Sequence, residues 1–181
     1  MLVYVFLAEG FEEIEALTPV DMLRRAGHEV RTVAIGGDNK VCGAHGIPVI
    51  ADIKDNEFCT VKPACVILPG GMPGTANLAE SPTVTFALLD AVRCDGLICA
   101  ICAAPSVPGR MGLLRGKRAT CFPGFEGDLE GAIFTDERVV RDGNFITAKG
   151  MGCAEEFALA IIEALDGKEI AAEIAESVFA K

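Results

Sequence analysis

The chain alternates between short apolar runs and longer segments with helical spacing. Residues 2–7 form a continuous apolar run, which is typical of a strand buried on both faces of a parallel sheet. Apolar residues at helical spacing then predict a helix over 11–26, and a second strand follows over 28–35. The expected apolar face of that helix consists of Phe11, Ile14, Leu17 and Leu23.

Turn and cap signals divide the rest of the chain. Glycine and proline interrupt residues 41–50, so irregular or edge strands are expected there. Ser81 followed by Pro82 is a strong helix start, and this helix is predicted to end near Arg93. The remaining predicted elements are strands over 64–68 and 96–101, a helix ending near Leu114, a hairpin over 138–148, and helices over 153–166 and 168–179.

This alternation predicts an α/β fold with a mostly parallel central sheet and helices on both faces. In such sheets, ligands bind beyond the carboxyl ends of the strands. Three segments should therefore converge at one edge of the sheet: residues 8–10, 69–71 and 102–103.

Composition narrows the class of protein. The chain has 181 residues, 51% of them hydrophobic, which predicts one domain over residues 1–181 with a substantial core. Its apolar start lacks a basic segment and stops before Glu9, and no apolar run approaches the roughly 20 residues of a membrane span. A soluble, cytoplasmic protein without membrane contact is therefore expected. The net charge of −10 argues against a nucleic-acid partner, because binding to phosphates requires a basic surface.

The eight cysteines indicate reduced thiols rather than a disulfide framework. Cys65, Cys94 and Cys99 lie in or beside apolar segments, where a free cysteine packs as a small hydrophobe. Cys99 and Cys102 form a C-x-x-C motif, but Cys99 lies within a predicted strand, where residues three apart face opposite ways. A redox dithiol is thus disfavoured. Since no second Cys/His pair has ligand spacing, no metal site is expected either.

Cys102 directly follows the apolar strand 96–101, and a helix with Pro105 near its start begins at once. The residues two positions before and after it, Ala100 and Ala104, are small, as at the sharp corner on which α/β-hydrolases hold their nucleophile. A nearby helix N-terminus favours the thiolate. We therefore predict a partly ionised, reactive thiol, with a buried structural cysteine as the alternative.

Glu15 is the candidate acid–base group. Its spacing after Phe11 can turn it toward the buried side of the helix, whereas Glu12 and Glu13 can face solvent. A half-buried carboxyl keeps its proton more readily and could pass that proton to a thiolate or a substrate. A solvated surface charge is the alternative.

Two glycines complete the candidate site. Gly70 and Gly71 follow a buried strand, and glycine lets backbone N–H groups approach a ligand closely. Together with the N–H of Ala103 they could form an oxyanion pocket. An ordinary tight turn is the alternative.

Six motifs together resemble the DJ-1/ThiJ/PfpI superfamily, most closely its DJ-1-like branch. They are AEGFEEIEALTPVD at 8–21, RRAGHEV at 24–30, VILPGGMPG at 66–74, GLICAICAAP at 96–105, AKGMG at 148–152 and EFALAIIEALDGKE at 156–169. The resemblance covers essentially the whole chain. It implies a flavodoxin-like sandwich, Cys102 as a nucleophile in contact with Glu15, and activity without a cofactor. It also implies a homodimer, with the first helix and the 41–50 segment as the expected contacts.

The chain departs from this family pattern at three positions. PfpI-type proteases carry a histidine directly after the nucleophile, where this chain has Ala103, so peptidase or amidase activity is disfavoured. Relatives commonly carry an arginine where His45 stands, and animal relatives carry a histidine where Phe122 stands. His45 and Phe122 are therefore candidate pocket residues, with a dimer interface as the alternative for His45. His28 begins a strand far from the expected pocket and is expected at the surface.

The leading hypothesis is an enzyme that acts on small reactive carbonyls. Cys102 would attack glyoxal or methylglyoxal to give a hemithioacetal, Glu15 would move protons, and water would release a 2-hydroxy acid. The resemblance implies this glutathione-independent glyoxalase activity, and a deglycase would apply the same chemistry to an adduct. The alternative is an oxidative-stress sensor or redox-regulated chaperone, in which Cys102 oxidises to a sulfinate held by Glu15. The physiological substrate is left open.

Overall fold

A seven-stranded sheet with helices on both faces forms the centre of the computed structural model, which describes residues 1–59 and 62–180. The strands are β1 (Leu2–Ala8), β2 (Glu29–Ile35), β3 (Lys40–Cys42), β4 (Pro48–Ile50), β5 (Ile53–Lys54), β6 (Cys65–Leu68), β7 (Leu97–Ile101), β8 (Arg118–Ala119), β9 (Ile133–Phe134), β10 (Val139–Asp142) and β11 (Phe145–Ala148). The helices are α1 (Glu13–Arg25), α2 (Gly74–Glu80), α3 (Pro82–Arg93), α4 (Ser106–Arg110), α5 (Ala154–Asp166) and α6 (Lys168–Ser177). Three short 3₁₀ helices span Asp55–Glu57, Glu126–Asp128 and Met151–Cys153.

The strand order in the main sheet is β10-β11-β7-β6-β1-β2-β5. All neighbouring strands are parallel except the β10–β11 hairpin. The predicted α/β fold with a mostly parallel sheet is therefore confirmed. Among the helices of the described residues, none is long and apolar enough to cross a membrane.

The central strand β1 is buried on both faces, as its continuous apolar run predicts. Val3, Val5 and Leu7 belong to a core with α1, α5 and α6, whereas Tyr4 and Phe6 belong to a second core with α2, α3 and α4. Successive side chains of a strand point to opposite faces, so one apolar run supplies both layers. This two-sided burial fixes the sheet whose carboxyl edge carries the candidate site.

The buried face of α1 differs from the sequence prediction. Phe11 and Leu23 are buried as predicted, but Ile14 and Leu17 are exposed. The core contacts of the helix come from Leu23 together with Ala16 and Val20. These three residues follow i, i+4 and i+7 spacing and share one stripe, which leaves positions 14 and 17 on the opposite stripe. Two apolar side chains on a helix next to the candidate site are thus left uncovered.

The segment after Cys102 also differs from the prediction of a helix up to Leu114. Residues 102–105 form turns, and α4 covers only five residues. Gly112 follows the end of α4 with φ +70°, a left-handed conformation that commonly terminates helices. The helix start therefore lies four residues beyond Cys102.

Other predicted elements agree with the structure or differ in detail. Ser81 caps α3 as predicted, because its hydroxyl accepts the N–H of Val84. The 41–50 segment forms an antiparallel ribbon of β3 and β4, separate from the main sheet. The prediction of a surface position for His28 is wrong. Its ring is buried beneath the end of α5, with Nε2 2.7 Å from Asp166 Oδ2.

Candidate active site

The candidate site lies where the strand order reverses. The chain runs from β1 through α1 to β2 on one side, and later returns to β6 on the other side of β1. The loops after β1 and β6 diverge at such a reversal and leave a crevice at the carboxyl edge of the sheet. Glu15, in the first turn of α1, and Gly70, directly after β6, meet in this crevice, and Cys102 follows the neighbouring strand β7.

The backbone of Cys102 is held in a strained conformation. Its φ is +66°, a region that costs a non-glycine residue of order 1–3 kcal/mol. The N–H of Cys102 donates to the carbonyl of Ala148 at 2.8 Å, and its carbonyl accepts the N–H of Phe122 at 2.8 Å. The side chain is partly exposed, although Ala103 and Ala104 after it are buried. Two neighbouring segments thus hold the sulfur at the edge of the sheet in the way that a nucleophile requires.

Glu15 lies almost entirely out of solvent, with 1% of its surface exposed. Its Oε2 accepts the N–H of Gly70 at 2.9 Å, and its carboxyl is hydrogen-bonded to the thiol of Cys102. Burial raises the pKa of Glu15 to about 7, and the charge of Glu12 adds to this rise, while the hydrogen bonds from Gly70 and Cys102 act in the opposite direction. Near neutral pH this carboxyl can therefore both release and accept a proton.

The thiol of Cys102 does not match the predicted partial ionisation. Burial raises its pKa to about 12, and the negative charge of Glu15 and the hydrogen bond to it add to the effect. The N–H groups of Ala103 and Gly71 act in the opposite direction, because both hydrogen-bond the sulfur. The helix α4, which was predicted to begin directly after Cys102, begins only at Ser106. The raised pKa therefore favours the protonated thiol at neutral pH.

The backbone amides around the sulfur differ from the predicted oxyanion set. Gly71 and Ala103 direct their N–H groups at Cys102, whereas the N–H of Gly70 is already bonded to Glu15. A Cβ on Gly70 would lie 2.6 Å from Glu15 Oε2 and 2.7 Å from Cys102 Cβ. Gly70 thus lets the carboxyl and the thiol approach each other, and two amides are left to face a substrate.

His45 does not contact the sulfur. Its side chain is 68% exposed, and Nδ1 lies 2.9 Å from Glu13 Oε2 and 3.4 Å from Glu12 Oε2. Glu13, expected to face solvent, is instead buried, and its carboxylate accepts the N–H of His45 at 2.9 Å and that of Ile47 at 3.4 Å. In the sequence, only its place at the start of the first helix, next to a second glutamate, marked this residue.

Within the described residues, the side chains of Glu12, Glu13 and His45 form the one cluster whose donor atoms could hold a metal ion. One ligand atom each from Glu12, Glu13 and His45 lies within 4.8 Å of the others. Two carboxylates and an imidazole suit a divalent cation. Oε1 of Glu13 already accepts two backbone N–H groups and Oε2 is paired with the His45 ring, so the cluster is also satisfied by its own hydrogen bonds.

Phe122 and Cys99 take different places relative to the sulfur. The Phe122 ring is exposed beside Gly150, with Cδ2 3.4 Å from where a Cβ on Gly150 would lie. Cys99 is fully buried, and its sulfur lies 3.5 Å from that of Cys65. All eight cysteines are free. The C-x-x-C motif thus separates into a buried thiol pair and the partly exposed Cys102.

This fold and site define a class of α/β proteins with a cysteine–carboxyl pair at the carboxyl edge of the sheet. The model of the DJ-1/PfpI family matches residues 1–164, and the chain belongs to that family. Protein dj-1beta of Drosophila melanogaster is 38% identical over 176 residues, covering 96% of this chain and 94% of its own length. The crystal structure of Drosophila melanogaster DJ-1beta superposes with a TM-score of 0.93 at 37% identity, covering 99% of this chain and 98% of its own.

Two further relatives bear on the chemistry of the site, one through its name and the other through its oxidised structure. A Caenorhabditis elegans protein named glutathione-independent glyoxalase DJR-1.2 is 37% identical over 167 residues, covering 89% of this chain and 86% of its own length. The structure of Toxoplasma gondii DJ-1 in an oxidised form superposes with a TM-score of 0.91 at 36% identity, covering 98% of this chain and 97% of its own. The family therefore includes a member named for glyoxalase activity and a member solved after oxidation.

Proposed function

We propose that this protein is a cysteine-dependent, cofactor-free enzyme that converts a small 2-oxoaldehyde such as methylglyoxal, with water, into a 2-hydroxy acid. The observation that carries this proposal is the buried pair of Glu15 and Cys102, in which a carboxyl whose pKa is raised to about 7 is hydrogen-bonded to a thiol. Such a carboxyl can act as acid and as base in one catalytic cycle. The glyoxalase name of the Caenorhabditis elegans relative supports the same chemistry.

The first step would form a bond between the sulfur of Cys102 and the aldehyde carbon. Glu15 accepts the thiol proton as the sulfur attacks and then gives that proton to the carbonyl oxygen, which yields the hemithioacetal. The N–H groups of Gly71 and Ala103 face the sulfur and would stabilise the negative charge that develops on the oxygen. A thiol with a raised pKa can react in this way because its base is already hydrogen-bonded to it.

The second stage would move two protons and then add water. Glu15 removes the proton from the former aldehyde carbon and returns it to the adjacent carbon, while the hydroxyl proton of the hemithioacetal moves to the oxygen of that adjacent carbon, which leaves a thioester on Cys102. Water then breaks the carbon–sulfur bond, the sulfur regains its proton, and the 2-hydroxy acid leaves. One 2-oxoaldehyde and one water give one 2-hydroxy acid, so the reaction needs no external oxidant or reductant. The same addition to a carbonyl adduct would give a deglycase.

A steady-state assay tests this proposal. Methylglyoxal is supplied without glutathione, and lactate formation is followed for the wild type, Cys102→Ser and Cys59→Ser. Cys59 is a matched control, because it is an exposed free cysteine outside the crevice. We expect turnover in the wild type and in Cys59→Ser, and none in Cys102→Ser. Equal turnover in Cys102→Ser would refute the assignment of the nucleophile.

The second candidate function is a redox sensor or redox-regulated chaperone that uses the same sulfur. The oxidised Toxoplasma gondii structure favours this alternative. Peroxide would convert the thiol to a sulfenic and then a sulfinic acid, and a protonated Glu15 could donate a hydrogen bond to the sulfinate oxygen. Peptide mass spectrometry after graded peroxide treatment, combined with the absence of methylglyoxal turnover, would favour the sensor over the enzyme.

The homodimer is also a proposal. Large apolar side chains are exposed on α1 and on the ribbon of β3 and β4, at Ile14, Leu17, Ile47 and Ile50. We expect a second copy of the chain to cover them, because homodimer interfaces are more apolar than ordinary surface. Sedimentation at micromolar concentration should give a dimer that Leu17→Glu weakens and Phe86→Glu, on α3, does not. A 19.0 kDa monomer for the wild type would contradict this expectation.

A further inference from the structure

Two exposed apolar residues are tied to Cys102 through the backbone. Met72 directly follows Gly71, whose N–H is hydrogen-bonded to that sulfur, and 55% of Met72 is exposed. Phe122 is joined to Cys102 through its N–H, 2.8 Å from the carbonyl of Cys102, and 47% of Phe122 is exposed. Neither side chain is part of a core, so both are available to a bound molecule.

The Phe122 ring lies next to a glycine of the segment after β11. Its edge packs over Gly150, where a Cβ would lie 3.4 Å from Cδ2 and 3.9 Å from Cε2. Gly150 lies two residues after Ala148, whose carbonyl accepts the N–H of Cys102 at 2.8 Å. The ring therefore lies next to the segment whose backbone holds Cys102, and it offers a flat apolar face.

The charges that act on this site are negative. Glu15 adjoins the sulfur, and the charge of Glu12 acts on Glu15 in turn. The imidazole of His45 is directed at the carboxylates of Glu13 and Glu12. A substrate that carries a carboxylate would enter this field at a cost, whereas an uncharged carbonyl compound would not.

We propose that the site selects uncharged 2-oxoaldehydes whose substituent is an apolar group larger than methyl, and that Phe122 is the residue that determines this preference. The inference rests on the proposed function, since it names the substrate class of the same reaction. An aromatic substituent would stack on the Phe122 ring and contact Met72 while its aldehyde carbon meets the sulfur. Pockets of this kind discriminate by at least about tenfold between apolar groups that differ in size.

The experiment compares three substrates in three proteins. The substrates are phenylglyoxal, methylglyoxal and 4-carboxyphenylglyoxal, which adds one negative charge to the first. The proteins are the wild type, Phe122→Ala and the control Phe86→Ala, whose phenylalanine is 50% exposed on α3. Because Phe122 is half exposed, its replacement leaves the core intact.

We expect kcat/KM of the wild type for phenylglyoxal to exceed that for methylglyoxal and that for 4-carboxyphenylglyoxal by about tenfold each. The preference for phenylglyoxal over methylglyoxal should disappear in Phe122→Ala and persist in Phe86→Ala. Equal preferences in the wild type and Phe122→Ala would overturn the inference while leaving the proposed function intact.

A second measurement separates the failure of the inference from the failure of the proposed function. The labelling rate of Cys102 is measured by peptide mass spectrometry with N-phenyliodoacetamide, iodoacetamide and iodoacetate, without any turnover. We expect the uncharged aromatic reagent to react fastest and the anionic reagent slowest, with the aromatic advantage lost in Phe122→Ala. That pattern without turnover of any aldehyde would refute the proposed function but support the apolar, charge-excluding site. Equal rates would overturn the inference.

Discussion

Glu13 and Glu15 lie two residues apart in the first turn of α1 and are both buried, yet their pKa values shift in opposite directions. For Glu13, burial acts to raise the pKa, but hydrogen bonds from the His45 ring and from backbone N–H groups, including those of His45 and Ile47, outweigh it and lower the pKa. Glu15 accepts one backbone N–H and meets a thiol, so burial prevails. The number of donors, rather than burial alone, decides which carboxyl keeps its charge.

The environments of Glu13 and Glu15 give the two carboxyls different roles in the structure. The carboxylate of Glu13 fastens the 43–47 loop to the start of α1, and Gly43 permits this because a Cβ there would lie 2.3 Å from the Glu13 carboxylate. Glu15 joins α1 to the segment after β6 and faces the sulfur of Cys102. A satisfied carboxylate stabilises the fold, whereas an under-satisfied one costs stability and gains an available proton.

The largest expected effect concerns turnover in Glu15→Gln. Glutamine keeps the volume and an acceptor for the N–H of Gly70 but cannot carry a proton, so kcat/KM for methylglyoxal should fall at least about 100-fold. Glu13→Gln is the matched control on the same helix turn and should stay within about tenfold of the wild type. If both variants lose turnover equally, the division of roles between the two carboxyls is wrong.

The next effect concerns the stability of the same variant. The pKa of Glu15 is raised from 4.5 to about 7, so the folded state binds the proton more tightly and the free energy of unfolding falls as pH rises through this range. Above pH 7, Glu15→Gln should therefore be more stable than the wild type by about 3 kcal/mol. The two proteins should converge below about pH 4.5. Urea unfolding between these pH values measures the difference, and a pH-independent difference would contradict the raised pKa.

Glu13→Gln should show a smaller effect of opposite sign. Its pKa is lowered from 4.5, so its contribution to stability is present above that pH and is lost as pH falls through the lower folded value. At pH 7 the variant should be less stable than the wild type by about 2 kcal/mol, since a buried, charge-assisted set of hydrogen bonds is weakened. The same urea series should show this deficit shrinking in acid, and a gain in stability at pH 7 would sink the structural role.

The smallest effect is expected for His45→Ala. The hydrogen bond to Glu13 and the charges of Glu12 and Glu13 raise the pKa of His45, but the side chain is exposed and its pairing is screened by water. The backbone N–H of residue 45 still donates to Glu13 after the substitution. Thermal unfolding should hardly differ from that of the wild type, and methylglyoxal turnover should persist. A large loss of either would show that the imidazole, not the backbone, holds the loop.

Much of the fold could be predicted because its signals are local. The apolar runs of β1, β6 and β7 mark strands buried on both faces, and Ser81 with Pro82 marks the start of α3. The helix α2 was not predicted, since it has seven residues and no side-chain cap. The face of α1 was misjudged because the sequence alone does not show which stripe the sheet covers. Burial of His28 escaped prediction for the same reason, because its partner Asp166 is 138 residues away.

Some features of the candidate site could likewise be predicted from the sequence, whereas others depend on tertiary contacts. Cys102, Glu15 and the glycines at 70 and 71 are identifiable from motifs at the ends of predicted strands, and their roles stay predictions until turnover is measured. The charge state of the sulfur was misjudged, because the sequence places a helix next to Cys102 but does not show the buried carboxyl against it. Assignment of the Gly70 amide to Glu15 likewise depends on a contact between residues 55 positions apart.

The sequence by itself determined the order of the long buried strands and the longer helices, the mostly parallel sheet and the sharp corner at Cys102, because apolar periodicity and turn residues act over a few neighbours. Only the tertiary structure decided which of two adjacent carboxyls is charged. That outcome depends on how many N–H donors distant segments bring to each oxygen once water is excluded, and a local pattern carries no record of those donors.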